Sequence, residues 1–190
     1  MSNPLIAAAI NGNTDELRCL ISLPHSLEDI SIALRYAAQN GRADCVKLLI
    51  PGCSPSAGAS YALKCAARKG HAECVRLLIP LATHLDCNEA FLDAAAHGRT
   101  ACVRVFLESG TTTEYTEGLF FAVINASKEC VEILYPLGDA GAVLQRVKSG
   151  YPDDDFLWTH LEERVCMDRQ RALLLRKAGS GHTLPSPRKI

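Results

Sequence analysis

One phrase recurs along this chain. It reads "RADCVKLLIP" at 42–51, "HAECVRLLIP" at 71–80, "RTACVRVFLE" at 99–108 and "SKECVEILYP" at 127–136. Directly ahead of the four copies stand Gly41, Gly70, Gly98 and Ala126, and Gly12 marks a fifth unit before them, so that the markers are spaced 29, 29, 28 and 28 residues apart. A unit of that length cannot bury its own apolar face, so its copies must stack on one another to form a core. This periodicity restricts the fold more tightly than any bulk property.

Each unit reads as two short helices. A large apolar residue (Leu5, Leu34, Leu63, Phe91, Leu119) precedes two small ones at i+3 and i+4: Ala8–Ala9, Ala37–Ala38, Ala66–Ala67, Ala94–Ala95 and Ala122–Val123. That is a one-sided stripe at helical period, with side chains small enough for neighbouring helices to approach closely. Ser31, Ser60, Asn88 and Thr116 are expected N-caps of the first helices, and Asn3-Pro4 opens the first copy. The marker glycine ends the first helix in a left-handed conformation. The "CV" segment forms the second helix, stopped by Pro51, Pro80 and Pro136.

These residues resemble the ankyrin repeat, T-P-L-H-x-A-A-x-x-G-H followed by V-x-x-L-L, most clearly at "NPLIAAAINGN" (3–13) and "YALKCAARKGHAECVRLL" (61–78). The wording is similar to arrays from bacteria and some protists. The tetrapeptide T-P-L-H survives only as Pro4-Leu5, and the period is four to five residues below the usual 33. The shortfall falls where the family places its β-hairpin finger, so shortened fingers or plain loops are expected. The resemblance implies an all-α, ankyrin-type helical solenoid of about five helix-turn-helix repeats: 3–30, 31–59, 60–87, 88–115 and 116–140. After the array (1–140), residues 141–178 are expected to form a degenerate sixth repeat or helical cap, and 179–190 a disordered tail.

The cysteines raise the possibility of metal or redox chemistry. Cys45, Cys74, Cys102 and Cys130 recur once per repeat, and stacked helices lie about 8–10 Å apart. That spacing exceeds what a disulfide spans, ~7 Å between Cα atoms, and gives no convergence on one metal. Packing as small apolar side chains is the favoured reading. Of nine cysteines in all, Cys53 and Cys87 are placed in connecting loops as the more exposed thiols. The odd count without close pairs fits a reducing compartment, so a cytoplasmic location is expected.

No phosphate loop, nucleophile elbow or H-E-x-x-H motif occurs. Asp153–Asp155 are consecutive, which suits a helix start better than a convergent metal site. No cofactor and no metal ligands are expected. A net formal charge of −1 gives no reason to expect nucleic acid or membrane as a partner. His71 matches the family's G-H histidine, which implies a tie between a loop and the next repeat.

The resemblance implies a non-catalytic protein-binding module, monomeric when free, that engages a protein partner through the concave face of the stack. Mapped onto this chain, that face comprises Asn11, Arg35, Gln39, Asn40, Lys64, Arg68, Lys69, Leu92, His97, Phe120 and Asn125. It runs from basic in the middle to apolar at Leu92 and Phe120, unless those two turn inward. An acidic and apolar partner is expected. Trp158 is a possible further contact, since tryptophan is common at interface hot spots. Two other roles stay open. One is a stoichiometric inhibitor such as an immunity protein or antitoxin; the other is an enzyme with its site in the C-terminal segment.

Overall fold

A computed structural model describes residues 3–53, 58–151 and 155–179. The described residues contain helices and turns and no strand. They fall into two compact units, Met1–Asp139 and Ala140–Ile190.

The first unit holds five helix pairs. The first helices are α1 (Pro4–Asn11), α3 (Leu27–Gln39), α5 (Ser60–Lys69), α7 (His84–Ala96) and α9 (Tyr115–Ile124). The second helices are α2 (Thr14–Ile21), α4 (Ala43–Leu49), α6 (Ala72–Leu78), α8 (Thr100–Ser109) and α10 (Lys128–Leu134). First helices pack on first helices in sequence, and second on second, giving two layers. The core lies between them: Leu5, Leu34, Leu63, Phe91 and Leu119 are fully buried, as are the small residues that follow them except Val123, which is nearly so. Phe91 is the one aromatic in that column. It meets Phe106 and Tyr115 edge-on, and a Cβ on Gly118 would lie 2.6 Å from its ring. The larger side chain therefore fits because its neighbour has none.

The marker residues adopt the left-handed conformation as expected, with φ of 78°, 69°, 90° and 64° at the four glycines and 52° at Ala126. A second constraint holds them small. The residue after each later glycine reaches back over the preceding one: Arg42 Nε donates to the Ile10 carbonyl at 3.2 Å, and Arg99 Nε to the Arg68 carbonyl at 3.0 Å. His71 Nε2 lies 3.0 Å from the Gln39 carbonyl. A carbonyl only accepts, so this bond requires the proton on Nε2. His71 thus ties its turn to the preceding repeat, the reverse of the expected direction. A Cβ on Gly41 would sit 2.6 Å from this imidazole.

The caps differ from expectation. Asn3 accepts from the Leu5 amide with Pro4 at the first helical position, as read. However, α3 starts at Leu27, where the Ser26 hydroxyl accepts from the Asp29 amide, and α7 starts at His84, where Thr83 and Asp86 form a reciprocal capping box. The S-x-x-D and T-x-x-D patterns add a turn to each of these helices, so Ser31 and Asn88 lie inside them. Ser60 and Thr116 likewise fall within the first turns of α5 and α9. Three of these side chains instead brace the loop that follows in the chain, and Ser60 braces the first turn of α7. Ser31 bonds the Cys53 thiol and Ser60 the Asp86 carboxylate. Asn88 Oδ1 accepts from the Thr113 amide at 3.3 Å, and Thr116 Oγ1 from the Asp139 amide at 3.0 Å. The added turn in α7 also corrects the placement of Cys87, which is helical and buried, not an exposed loop thiol.

The second helices end near their prolines in short 3₁₀ turns, Ile50–Gly52 and Ile79–Leu81. No hairpin finger follows among the described residues. Cys45, Cys74, Cys102 and Cys130 are buried, and burial pushes the Cys74 and Cys102 thiols up to about 11. They pack as spacers, and no metal-holding cluster occurs among the described residues.

The second unit is a helix pair, α11 (Ala140–Gly150) and α12 (Asp155–Gly179). Val143, Val147, Leu161 and Val165 are buried, and Lys148 Nζ pairs with Glu162 Oε1 at 2.5 Å. The helix runs unbroken through Asp168–Gln170, and Leu173, Leu174 and Leu175 are exposed. Asp153, Asp154, the side chain of Trp158 and the 180–190 tail lie outside the described residues.

Candidate functional site: the groove between the second and third first helices

The surface of the first-helix layer is decorated by residues at fixed offsets. A side chain in one repeat faces the residue about 25 positions later, in the next first helix. Arg68 Nη2 reaches both carboxylate oxygens of Asp93, at 3.3 and 3.1 Å, and Lys64 pairs with Glu89. That contact raises the affinity of Lys64 for its proton. Two of the four expected basic residues are therefore already neutralised, one repeat over.

The neighbouring junction differs. At the equivalent places α5 carries Tyr61 and Cys65 in place of carboxylates. The Arg35 guanidinium lies 4.7 Å from the Tyr36 ring centre and 5.5 Å from that of Tyr61, a cation held between two aromatic faces. Arg35 and Lys69 have no carboxylate within ion-pair distance among the described residues. Without a bridge, the junction opens into a groove lined by Arg35, Tyr36, Gln39, Tyr61, Cys65, Arg68 and Lys69. It continues past Arg35 and Tyr61 into a second recess with Leu27, Ser31 and Ile32.

Four of the expected face residues (Arg35, Gln39, Arg68, Lys69) thus come together here. Asn40 lies at the end of α3, its amide donating to the Tyr36 carbonyl at 2.8 Å. Asn11 is exposed on α1. His97 and Asn125 cap their own helices through the Asp93 and Phe121 carbonyls. Leu92 is half-buried. Phe120 is corrected: it is only 9% exposed and stands edge-on to Phe121, so it offers no open ring. An apolar phenylalanine beside buried Leu119 gains more by facing the core. Tyr36, Tyr61 and Cys65 were not singled out from sequence. Their signal is the contrast with Glu89 and Asp93 at the matching register.

Cys65 is half-buried on the groove wall. Burial raises its pKa, opposed by the nearby charges of Arg35 and Arg68. It is a weak nucleophile there and acts as part of the surface.

Stacked helix pairs with left-handed turns and a side-chain-lined face define a repeat solenoid of the binding-scaffold class. The comparisons give the family. The model for ankyrin repeats in three copies matches residues 1–59 and 34–117, and the chain belongs to the ankyrin-repeat family. Among solved structures it is similar to the human ASB11 ankyrin repeat domain, with a TM-score of 0.62 and 22% identity over 73% of this chain and 71% of that one. That likeness shows the fold alone. No curated protein matches the chain. Ankyrin repeats serve generally as protein–protein interaction modules, and no described helix is long and apolar enough to cross a membrane.

Proposed function

We propose that this protein is a non-catalytic adaptor that binds a protein partner along its first-helix face, centred on the α3–α5 groove. The observation that carries this reading is the unneutralised junction, in which Arg35 and Lys69 have no carboxylate partner among the described residues and stand beside exposed Tyr61. Arginine and tyrosine are enriched where interfaces concentrate their energy, and an uncompensated positive groove favours an acidic partner. Leu92, half-buried at the register of Lys64 one repeat later, extends the face. The α11–α12 helix pair is a degenerate sixth unit in this reading, supported by its buried valines and Leu161.

The test is differential capture. Proteins retained by the unmodified chain and lost by a Tyr61→Ala/Lys69→Glu variant of unchanged helicity support the groove. Retention of the same proteins by both would remove it as the binding site.

A further inference from the structure

We infer that the groove's occupant is a short extended peptide segment carrying an acidic side chain about three residues from an aliphatic or aromatic one. This rests on the reading of the groove as the partner site and adds what it recognises.

The two halves of the groove differ in chemistry and share a wall. Beyond Arg35 and Tyr61 toward the start of α3, the recess is faced by Leu27, Ile32 and Tyr61, with Leu27 66% and Tyr61 56% exposed. Toward the helix ends it is faced by Lys69 and by Arg68, whose charge Asp93 already balances, so Lys69 and Arg35 supply the net positive charge. Among the described residues, Glu28 is the one carboxylate that lines either half, at the apolar end. Charge therefore rises along the groove from Glu28 to Lys69, and an occupant's acidic group is repelled from one end and drawn to the other. Arg35 at the midpoint serves both halves, its charge free and its flat face covered by the two tyrosines.

Length sets the spacing. The thirteen residues of α3 rise about 1.5 Å each, so the groove runs for roughly 18 Å. An extended chain advances about 3.3 Å per residue, so about five residues fill it. The centres of the two halves lie about six helical residues apart, or roughly 9 Å, which an extended peptide in the polyproline II form spans in about three residues with both side chains on one face. The next junction cannot take the same ligand, because Glu89 and Asp93 occupy it.

The experiment is selection of a random linear-peptide library displayed on phage against the full chain, with recovered peptides measured by fluorescence anisotropy. Enrichment of sequences with Asp or Glu three positions from Leu, Ile or an aromatic is expected. Their affinity should fall roughly tenfold with Lys69→Gln or Tyr61→Ala and stay unchanged with Arg104→Gln on the other layer. Three results would overturn the inference: no enriched peptide, enrichment without that spacing, or peptides indifferent to both groove variants. If no peptide binds but a captured protein is still lost by the Tyr61→Ala/Lys69→Glu variant, the groove remains the partner site and its occupant is a folded surface.

Discussion

The α3–α5 and α5–α7 junctions share a helix, a layer and a spacing, yet one is closed and the other open. At α5–α7, Lys64 and Arg68 meet Glu89 and Asp93. At α3–α5, Arg35 and Gln39 meet Tyr61 and Cys65. Twenty-eight residues separate Tyr61 from Glu89 and Cys65 from Asp93, so two side chains per repeat decide whether a junction is bridged or available. The scaffold beneath is the same in both. In a stack of this kind the buried register supplies rigidity, and two exposed positions per unit supply recognition.

The most direct way to break the contrast is to copy one junction onto the other. Tyr61→Glu with Cys65→Asp should bridge Arg35 and close the groove. Partner or peptide binding should fall on the order of a hundredfold, the scale of losing two charge-assisted contacts, with the melting temperature little changed. Next comes the frame that both junctions share. Gly41→Ala forces a side chain into φ of 69° and against His71, and should cost about 2–3 kcal/mol in urea unfolding. The converse change, Ala126→Gly, relieves a left-handed non-glycine residue and should gain about 1 kcal/mol.

Smaller effects sharpen the comparison. Asp93→Asn removes one exposed ion pair and should lower stability by less than about 1 kcal/mol, while freeing Arg68 to strengthen peptide binding at low salt. Thiol labelling near pH 8 separates surface from stack. Cys74 and Cys102, with pKa values about 11, should stay unmodified in the folded protein. Cys65 should label slowly, and a bound peptide should protect it.

Much of the scaffold was legible because it is written four or five times. The left-handed markers, the Ala-Ala stripe and the buried cysteine column each recur at one register, and recurrence separates packing from chemistry. The first-helix starts were misread because Ser31, Ser60, Asn88 and Thr116 also recur. Their regularity comes from bracing the next loop or helix start, while the S-x-x-D at 26–29 and T-x-x-D at 83–86 occur in only two repeats. The basic strip was found, but its pairing was not. That Lys64 faces Glu89 depends on how far one repeat slides past the next, which only the stacked structure fixes. Phe120 follows the same lesson: position in the repeat placed it on the face, and its neighbours drew it inward.

Lys64 and Lys69 stand on the same helix, one paired and one without an ion pair among the described residues, and their separate neutralisation tests groove occupancy most directly. The affinity of a groove peptide or captured partner should drop roughly tenfold at low salt for Lys69→Gln and change less than about twofold for Lys64→Gln. Equal losses, or a larger loss at Lys64, would contradict recognition at the open junction.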